Sequence, residues 1–244
     1  MPATEQHTDP LDWLQGFEGV PSAFSAARDG IDVLLRDRGM RQTTAEQTAE
    51  SLLRGAHASA ALEGSTSSLD EVRAGEGDEI AQAAVRVSTG LLGLAPLLST
   101  SPLQVFARVH SLAAVGSLPD EELGRPANAE AADRMTTLGN TLWTSQAPGL
   151  MIAAVAHAEL ATLGAFASHN GIVARAIERL IMAAKGVDPF SVTIPEAGHL
   201  GLRDIYESNL RAYGSGRSSG LRAWLLYAAE AYTLGAEHSP VREE

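Results

Sequence analysis

The residues with the clearest potential for chemistry lie in the loop GAFASHNGIVAR, which spans positions 164–175 between two helical segments. Asn170 and Gly171 stand where the second of these helices is expected to begin. The first backbone N–H groups of a helix have no partner within it, and the helix dipole adds partial positive charge. A polar loop with a glycine at this point therefore predicts a binding site for an anion such as phosphate.

Two histidines lie close to this loop in the sequence. His169 comes just before the helix, where the dipole favours a neutral imidazole. A neutral imidazole beside a small pocket can act as a base or as a hydrogen-bond partner. The alternative for His169 is a loop side chain that faces solvent. His157 is expected to point into the helix packing and to bond a carbonyl group.

The composition excludes several classes of function. Eighteen basic and thirty acidic residues give a net charge of −12, which argues against binding to nucleic acid or to an anionic membrane. The absence of cysteine excludes disulfides, zinc–thiolate sites and cysteine nucleophiles. No HExxH, P-loop, GxSxG or dinucleotide motif is present, so the sequence identifies no metal site. The start MPATEQHTDP does not resemble a secretory signal, and we expect a cytoplasmic protein.

Helical spacing dominates the chain and predicts an all-α fold with one compact domain. The longest apolar run, 147–167, contains His157 and Glu159, so it is interpreted as a helix buried inside the protein and not as a membrane span. The predicted organisation has three parts: an N-terminal extension over 1–42, the domain over 43–236 and a frayed tail over 237–244.

Start and stop signals place the individual helices. The first helix is expected to begin at Thr43 or Thr44 with a capping box, and to run to Leu62 with Gly64 as its left-handed end. A second capping box opens a short helix at Ser68. Further helices are expected at about 79–94, 102–116, 128–143, 148–163, 170–185, 197–213 and 219–234.

The segment SAALEG, residues 59–64, closes the first predicted helix, and here the chain resembles the Fic (Fido) family. That family transfers AMP from ATP to protein hydroxyl groups. Many members carry an inhibitory helix with Ser or Thr, three residues, Glu, then Gly or Asn. SAALEG matches this pattern at every fixed position and precedes the core, as in the N-terminal-inhibited class. The resemblance covers about residues 43–236 and implies a Fic-like helical domain with a core helix–loop–helix.

The core loop is less similar to the family signature, which reads His-Pro-Phe, any residue, Asp or Glu, Gly-Asn-Gly-Arg, two residues, Arg. The positions that keep the family residue are Phe166, Asn170, Gly171 and Arg175. The positions that replace it are Gly164, Ala165, Ser168, His169 and Ile172. The resemblance implies phosphate or nucleotide contacts by Asn170, Gly171 and Arg175. It implies a pocket lined by Gly164, Phe166, Ser168 and His157, and an inhibitory or gating group of Ser59, Glu63 and Gly64.

The replacements remove parts of the family mechanism. Gly164 cannot act as the base, a loss of about 10²–10⁴ in rate. Ser168 is at best a weak neutral metal ligand, so Mg²⁺ is not expected, and Ile172 removes a phosphate donor. The family docks its target segment by strand addition on a hairpin. The matching stretch near 118–128 has no alternating pattern and contains Pro126.

Glu63 is expected to pair with Arg175, either as a gate over the phosphate site or as a structural ion pair. The leading interpretation is a degenerate Fic-like protein that senses a nucleotide or phosphate, or acts as a regulatory pseudoenzyme, without ordinary AMP transfer. The alternatives are an enzyme that uses His169 and Asn170 on another small substrate, residual AMP transfer to proteins, and a structural homo-oligomer that binds partners. The ligand expected under the leading interpretation is ATP or a related nucleotide.

Overall fold

The fold is described from a computed structural model that defines residues 9–36 and 43–243. Over these residues the chain forms α-helices and short 3₁₀ helices without a β-strand, so the all-α prediction is confirmed. The α-helices are α1 (Val20–Arg36), α2 (Ala45–Leu62), α3 (Leu69–Ala74), α4 (Glu79–Leu91), α5 (Ala95–Leu98), α6 (Pro102–Ala114), α7 (Ala129–Thr144), α8 (Gly149–Leu163), α9 (Asn170–Ala184), α10 (Pro195–Gly201), α11 (Arg203–Gly214) and α12 (Ser218–Glu237).

Helices α8 and α9 pack along each other at the centre of the molecule. Every residue of α8 from Leu150 to Ala158 is buried, so this helix has no polar face. Helix α12 packs against α1, α10 and α11. Its Trp224 is fully buried and donates a hydrogen bond to the carbonyl of Ala154 on α8 at 2.8 Å. The long apolar run of the sequence is therefore the core of a helical domain.

The predicted helix boundaries are confirmed where a local hydrogen bond sets them. Thr44 caps α2 and forms a reciprocal capping box with Gln47. Ser68 and Glu71 do the same for α3. After α2 the chain turns at Gly64, which has φ +96°, a conformation that favours glycine. The helix that carries SAALEG thus ends where the sequence predicts.

One predicted helix, 197–213, is two helices in the structure. Helix α10 ends at Gly201, and α11 begins at Arg203. Leu202 between them has φ −105° and ψ +24°, outside the helical region. The bend allows α10 to pack against α12 while α11 packs against α8. The sequence shows continuous helical spacing here because both helices bury apolar side chains.

Helix α1 was not among the predicted helices. It packs against α12 and buries five apolar side chains, which are Val20, Phe24, Ala27, Ile31 and Leu34. Helix α1 therefore contributes to the same core as the rest of the domain. The remainder of the predicted extension includes 1–8 and 37–42, which lie outside the described residues.

The predicted frayed tail is wrong for the part that the structure describes. Pro240–Glu243 forms a 3₁₀ helix that lies against α2. Ser239 is buried and Val241 packs against the core. The apolar side chain of Val241 provides the physical reason, since its burial holds this short segment on the domain.

One helical run among the described residues, 79–98, is long and apolar enough to cross a membrane by length and composition alone. Its Ala81, Ala84 and Val87 are buried, and α4 packs against α2 and α6. In this run, 28% of the most apolar stretch is buried in the structure.

Candidate functional site

The loop between α8 and α9 is held in shape by two left-handed residues and one asparagine. Gly164 ends α8 with φ +62°, and His169 precedes α9 with φ +57°. The Asn170 side chain accepts a hydrogen bond from the backbone N–H of Phe166 at 2.9 Å. It also donates to the carbonyl of Phe166 at 2.8 Å. Asn170 lies in the first turn of α9, as expected, and its side chain fixes the loop, while His169 occupies the cap position.

The start of α9 faces the carboxylate of Glu63. A Cβ atom added at Gly171 would overlap Oε1 of Glu63, so only a glycine leaves room for this carboxylate. The helix dipole and the free N–H groups of the first turn stabilise a negative charge at this position. The predicted anion site therefore has an anion beside it, supplied by the protein itself.

The predicted pair of Glu63 and Arg175 is present. Nη2 of Arg175 lies 2.7 Å from Oε1 of Glu63. The guanidinium also donates to Ser59 Oγ at 2.9 Å, to the Ser59 carbonyl at 3.0 Å and to the Tyr206 hydroxyl at 3.1 Å. Arg175 is 1% exposed, whereas Glu63 is 33% exposed. Burial opposes the charge on Arg175, but Tyr206 and Glu63 nevertheless raise its pKa.

His169 is partly buried and bonded, in contrast to the solvent-facing alternative. Its Nδ1 lies 2.7 Å from Oγ of Ser168. Burial lowers the pKa of His169, the charge of Glu63 raises it and the charge of Arg86 lowers it, with a net decrease. Burial therefore favours the neutral imidazole, whereas the sequence argument for it relied on the helix dipole.

His110 from α6 lies beside the loop and has no counterpart in the predicted site. Its ring stacks on Phe166 with a centroid distance of 4.2 Å. Nδ1 accepts a hydrogen bond from the N–H of Gly124, so Nε2 carries the proton, and Nε2 is buried without a hydrogen-bond partner among the described residues. Burial and, to a smaller extent, the charge of His169 lower the pKa of His110 to about 4. This adds an unused N–H donor near the anion site.

The positions that lack the family's side chains are inert in the structure. Gly164 has no side chain, and an added Cβ would meet open space. Ile172 is buried, at 2% exposure, and offers no donor. Ser168 presents a hydroxyl that is already bonded to His169. No residue at these three positions supplies a general base or an anionic metal ligand.

The segment that corresponds to the target-docking hairpin is not a hairpin. Residues 120–122 form a 3₁₀ turn, and Val115 and Leu118 form one isolated bridge. The N–H of Ala127 donates to the carbonyl of Ala165 at 2.9 Å. The chain therefore forms its own backbone hydrogen bond to the core loop at this edge.

A second polar cluster lies in the core beneath this site. The expectation that His157 bonds a carbonyl group is wrong. Its Nε2 lies 2.8 Å from the Tyr206 hydroxyl instead. Its Nδ1 lies 2.9 Å from Oε1 of Glu178, and Nε2 of His199 lies 3.0 Å from Oε2 of the same carboxylate. Burial lowers the pKa of His157 to about 4, and burial raises the pKa of Tyr206 to about 12. Burial opposes the charge on Glu178, but the two imidazoles hold its pKa well below the usual range.

The structure thus adds four residues that the sequence did not identify: Tyr206 and His110 at the site, and Glu178 and His199 in the cluster beneath it. A charged residue on the apolar face of a helix is a signal, and Glu178 meets that description in hindsight. His110 and His199 lie in ordinary amphipathic segments. Their role depends on which helices become neighbours, and spacing alone does not show this.

Comparison with solved structures shows the Fic fold. A Fic family protein from Desulfovibrio desulfuricans G20 superposes with a TM-score of 0.70 at 17% identity, over 88% of this chain and 73% of that one. A fragment of Fic-1 from C. elegans superposes with a TM-score of 0.65 at 19% identity, over 89% and 72%. A single-residue variant of that fragment gives 0.64 at 17% identity, over 89% and 71%. No protein-family model matches the sequence, and no curated protein matches it.

Proposed function

We propose that this protein is a Fic-fold sensor or regulatory pseudoenzyme that binds a phosphate-bearing ligand of the nucleotide class at the start of α9. The observation that carries the proposal is the contact between Arg175 and Glu63 at 2.7 Å, beside the first turn of a helix. At the start of α9, a carboxylate and a phosphate are stabilised by the same groups: backbone N–H donors, the helix dipole and the guanidinium of Arg175. Glu63 thus acts as an internal substitute for the ligand.

The two members of the ion pair are suited to different roles. Arg175 is fixed by Ser59 and Tyr206 and keeps those three contacts when Glu63 leaves. Glu63 is one-third exposed and lies at the end of α2, next to the left-handed Gly64. An incoming phosphate can therefore replace one acceptor on Arg175 without moving the guanidinium. This arrangement supports Ser59, Glu63 and Gly64 as a gating group.

Ordinary AMP transfer is not part of the proposal. The reaction requires a base for the target hydroxyl and charge neutralisation on the triphosphate. Gly164, Ser168 and Ile172 supply neither, and the donors at Asn170, Gly171 and Arg175 hold anions without activating a nucleophile. We infer that any nucleotide bound here is not consumed and that Mg²⁺ is not required for binding.

The test compares the parent chain with Glu63→Gly in calorimetric titrations against ATP, ADP, AMP and inorganic phosphate. We expect at least one nucleotide to bind Glu63→Gly about tenfold more tightly or better, since about 1.4 kcal/mol of competition is removed. Glu237→Gly, which removes a charge from the exposed end of α12, should bind like the parent. If none of the four anions binds Glu63→Gly, the sensing proposal is wrong.

The same variants separate a gate from a structural ion pair. Removing one partner of a buried pair costs about 3–5 kcal/mol because the other charge stays uncompensated. A purely structural role predicts that Glu63→Gly loses stability in urea unfolding and gains no affinity for any anion. Incubation with labelled ATP and cell lysate completes the test, since a labelled protein band would contradict the absence of AMP transfer.

A second candidate function is an enzyme that acts on another small substrate, and the hydrogen bond between Ser168 and His169 favours it. A neutral imidazole 2.7 Å from a hydroxyl is the arrangement that activates a serine oxygen. The donors at Asn170 and Gly171 would then stabilise a developing negative charge. A metabolite screen by thermal shift, followed by turnover assays on His169→Ala, tests this candidate. Unchanged turnover in that variant removes His169 from the mechanism.

The place of the protein in the cell follows from weaker observations. A chain without cysteine suits a reducing compartment, and the chain's long apolar helix α8 is part of the protein core. We infer a cytoplasmic protein that acts on a dissolved ligand. A homodimer or a protein partner is compatible with this proposal, and sedimentation of the purified chain tests the dimer.

A further inference from the structure

The cluster of His157, Glu178 and His199 lies entirely inside the protein, and each of its side chains is 0% exposed. The three residues come from three different helices, α8, α9 and α10. One donor atom from each residue can be chosen so that all three atoms lie within 4.8 Å of one another. The cluster therefore brings two imidazoles and a carboxylate to one point in the core.

Ordinary hydrogen bonding leaves one atom of this cluster unexplained. Nδ1 of His157 lies 2.9 Å from Oε1 of Glu178, which is ion-pair distance if Nδ1 carries a proton, but the geometry of a hydrogen bond is not met. Most buried polar atoms in proteins have a hydrogen-bond partner, and an exception requires a reason. An unprotonated nitrogen that points at a carboxylate oxygen would be repelled by it unless a cation lay between them.

In each imidazole, the ring nitrogen that faces away from Glu178 contacts a tyrosine hydroxyl, an outer contact that is common for histidines in metal sites. Nε2 of His157 lies 2.8 Å from the Tyr206 hydroxyl, and Nδ1 of His199 lies 2.9 Å from the Tyr227 hydroxyl. Each ring can donate its N–H to a tyrosine oxygen and keep the other nitrogen free for a metal. The Tyr232 hydroxyl donates to Oε1 of Glu178 at 2.7 Å and orients the carboxylate.

The distances suit coordination with little movement. Donors about 2.1 Å from a metal are roughly 3.0 Å apart at right angles, as in octahedral sites, and roughly 3.4 Å apart in the tetrahedral geometry typical of Zn²⁺. The separations of 2.9 and 3.0 Å between the imidazole nitrogens and the carboxylate oxygens match the first arrangement. Two imidazole nitrogens and one carboxylate are typical ligands of first-row transition metals, whereas Mg²⁺ and Ca²⁺ prefer oxygen.

We propose that His157, Glu178 and His199 bind one first-row transition-metal dication, with Zn²⁺ as the reference ion, in the core of the domain. Since all three side chains are buried, the ion enters during folding and stabilises the packing of α8, α9 and α10. This site is separate from the anion site and does not depend on the proposed function. This site is not visible in the sequence because its three ligands belong to no recognised spacing motif.

The test is the metal content of the protein itself. The chain is produced without a histidine tag, unfolded with a chelator, and refolded with Zn²⁺ or with Co²⁺ before exhaustive dialysis. We expect about one equivalent of metal by mass spectrometry, and an absorption spectrum of bound Co²⁺ typical of nitrogen and oxygen ligands. Glu178→Gln and His199→Gln should lower the metal content about tenfold or more. His110→Gln, a buried histidine outside the cluster, should keep the metal.

Circular dichroism shows whether each variant folds. If the ligand variants do not fold, the metal content of the folded parent chain is the test. A folded parent that retains less than about one-tenth of an equivalent of both metals overturns the proposal. Ligand variants that fold and retain the metal also overturn it. A parent that melts at the same temperature with and without bound Zn²⁺ contradicts the stabilising role.

Discussion

Gly171 is the residue at which the start of α9 and the end of α2 meet. Its lack of a side chain lets Glu63 reach the first turn of α9, and the neighbouring Asn170 keeps the preceding loop in place. The glycine is needed for close approach here and not for an unusual backbone angle, since it lies inside a regular helix. A substitution at this residue therefore tests the position of the carboxylate directly.

We expect Gly171→Ala to lower the free energy of unfolding by about 1–3 kcal/mol, because the added methyl group overlaps the Glu63 carboxylate. In a Glu63→Ala background the same change should be neutral, or stabilising by up to about 1 kcal/mol, since alanine favours helix. Urea unfolding of the two single variants and the double variant measures the coupling. Strict additivity of the two changes would show that Glu63 does not lie against Gly171.

His110 predicts a pH dependence of stability. Its pKa is about 4 in the folded chain and about 6.5 in the unfolded chain, so the unfolded state binds the proton more tightly. The contribution of His110 is complete above about pH 6.5, falls as the pH drops towards 4, and amounts to roughly 2–3 kcal/mol over that range. His110→Phe keeps a ring on Phe166 but has no proton to bind.

Urea unfolding of the parent and of His110→Phe, carried out from about pH 7 to about pH 4.5, measures this difference. The stability advantage of the parent over the variant should shrink as the pH falls. An advantage that stays constant would show that His110 does not remain neutral in the folded protein. The lost hydrogen bond to Gly124 shifts the variant equally at every pH, so it does not affect the slope.

At the scale of elements, α9 is unusual because it buries three charged residues within about one turn of the helix: Arg175, Glu178 and Arg179. Each is matched by a different neighbour. Glu63 at the end of α2 pairs with Arg175, and Glu196 on α10 pairs with Arg179 at 2.9 Å. A buried charge without its partner is costly, so these pairs restrict how α9 can sit among its neighbours.

The same helix shows what the sequence can and cannot predict. The start of α9 and the contact of Arg175 with Glu63 follow from local signals and one recognisable motif. Glu178 is a charged residue on an apolar face, but nothing within the helix identifies its partners on α8 and α10 or the partner of Arg179 on α10. Long-range pairing depends on how helices pack, and a periodic pattern contains no information about which faces meet.

Helix α10 provides a prediction about close packing. A Cβ atom at Gly198 would overlap the carbonyl of Ala231 on α12, whereas one at Gly201 would lie 4.0 Å from the nearest atom, on Leu234. We expect Gly198→Ala to destabilise the protein by about 1–3 kcal/mol or more, because the two backbones must separate. Gly201→Ala is the matched control on the same helix and should change the stability by less than about 1 kcal/mol. Thermal unfolding of both variants compares them.

At the scale of the whole molecule, α1 completes the core. The sequence predicts an extension before residue 43, yet α1 lies against α12 and Phe24 contacts Tyr232 with ring centroids 6.3 Å apart. The missed prediction has a physical cause. The apolar residues of α1 recur at helical spacing, but spacing alone does not show that α12 covers them.

Phe24→Ala should therefore cost about 3–5 kcal/mol, the usual range for removing a buried aromatic side chain. Val33→Ala on the same helix removes a side chain that is 46% exposed, and we expect a cost below about 1 kcal/mol. Urea midpoints of the two variants measure the difference. Equal and small effects would mean that α1 is an appendage and not a part of the folding unit.

The hydrogen bond from Ala127 to Ala165 has a consequence for partner proteins. An extended peptide that binds the Ala165 carbonyl would compete with the N–H of Ala127. Ala127 belongs to the same chain, so its effective concentration at this carbonyl is of about millimolar order. A short peptide whose dissociation constant for this carbonyl edge is above about millimolar would therefore not displace the tethered segment. Only a partner that also holds residues 115–128 away from the loop could add its own strand there.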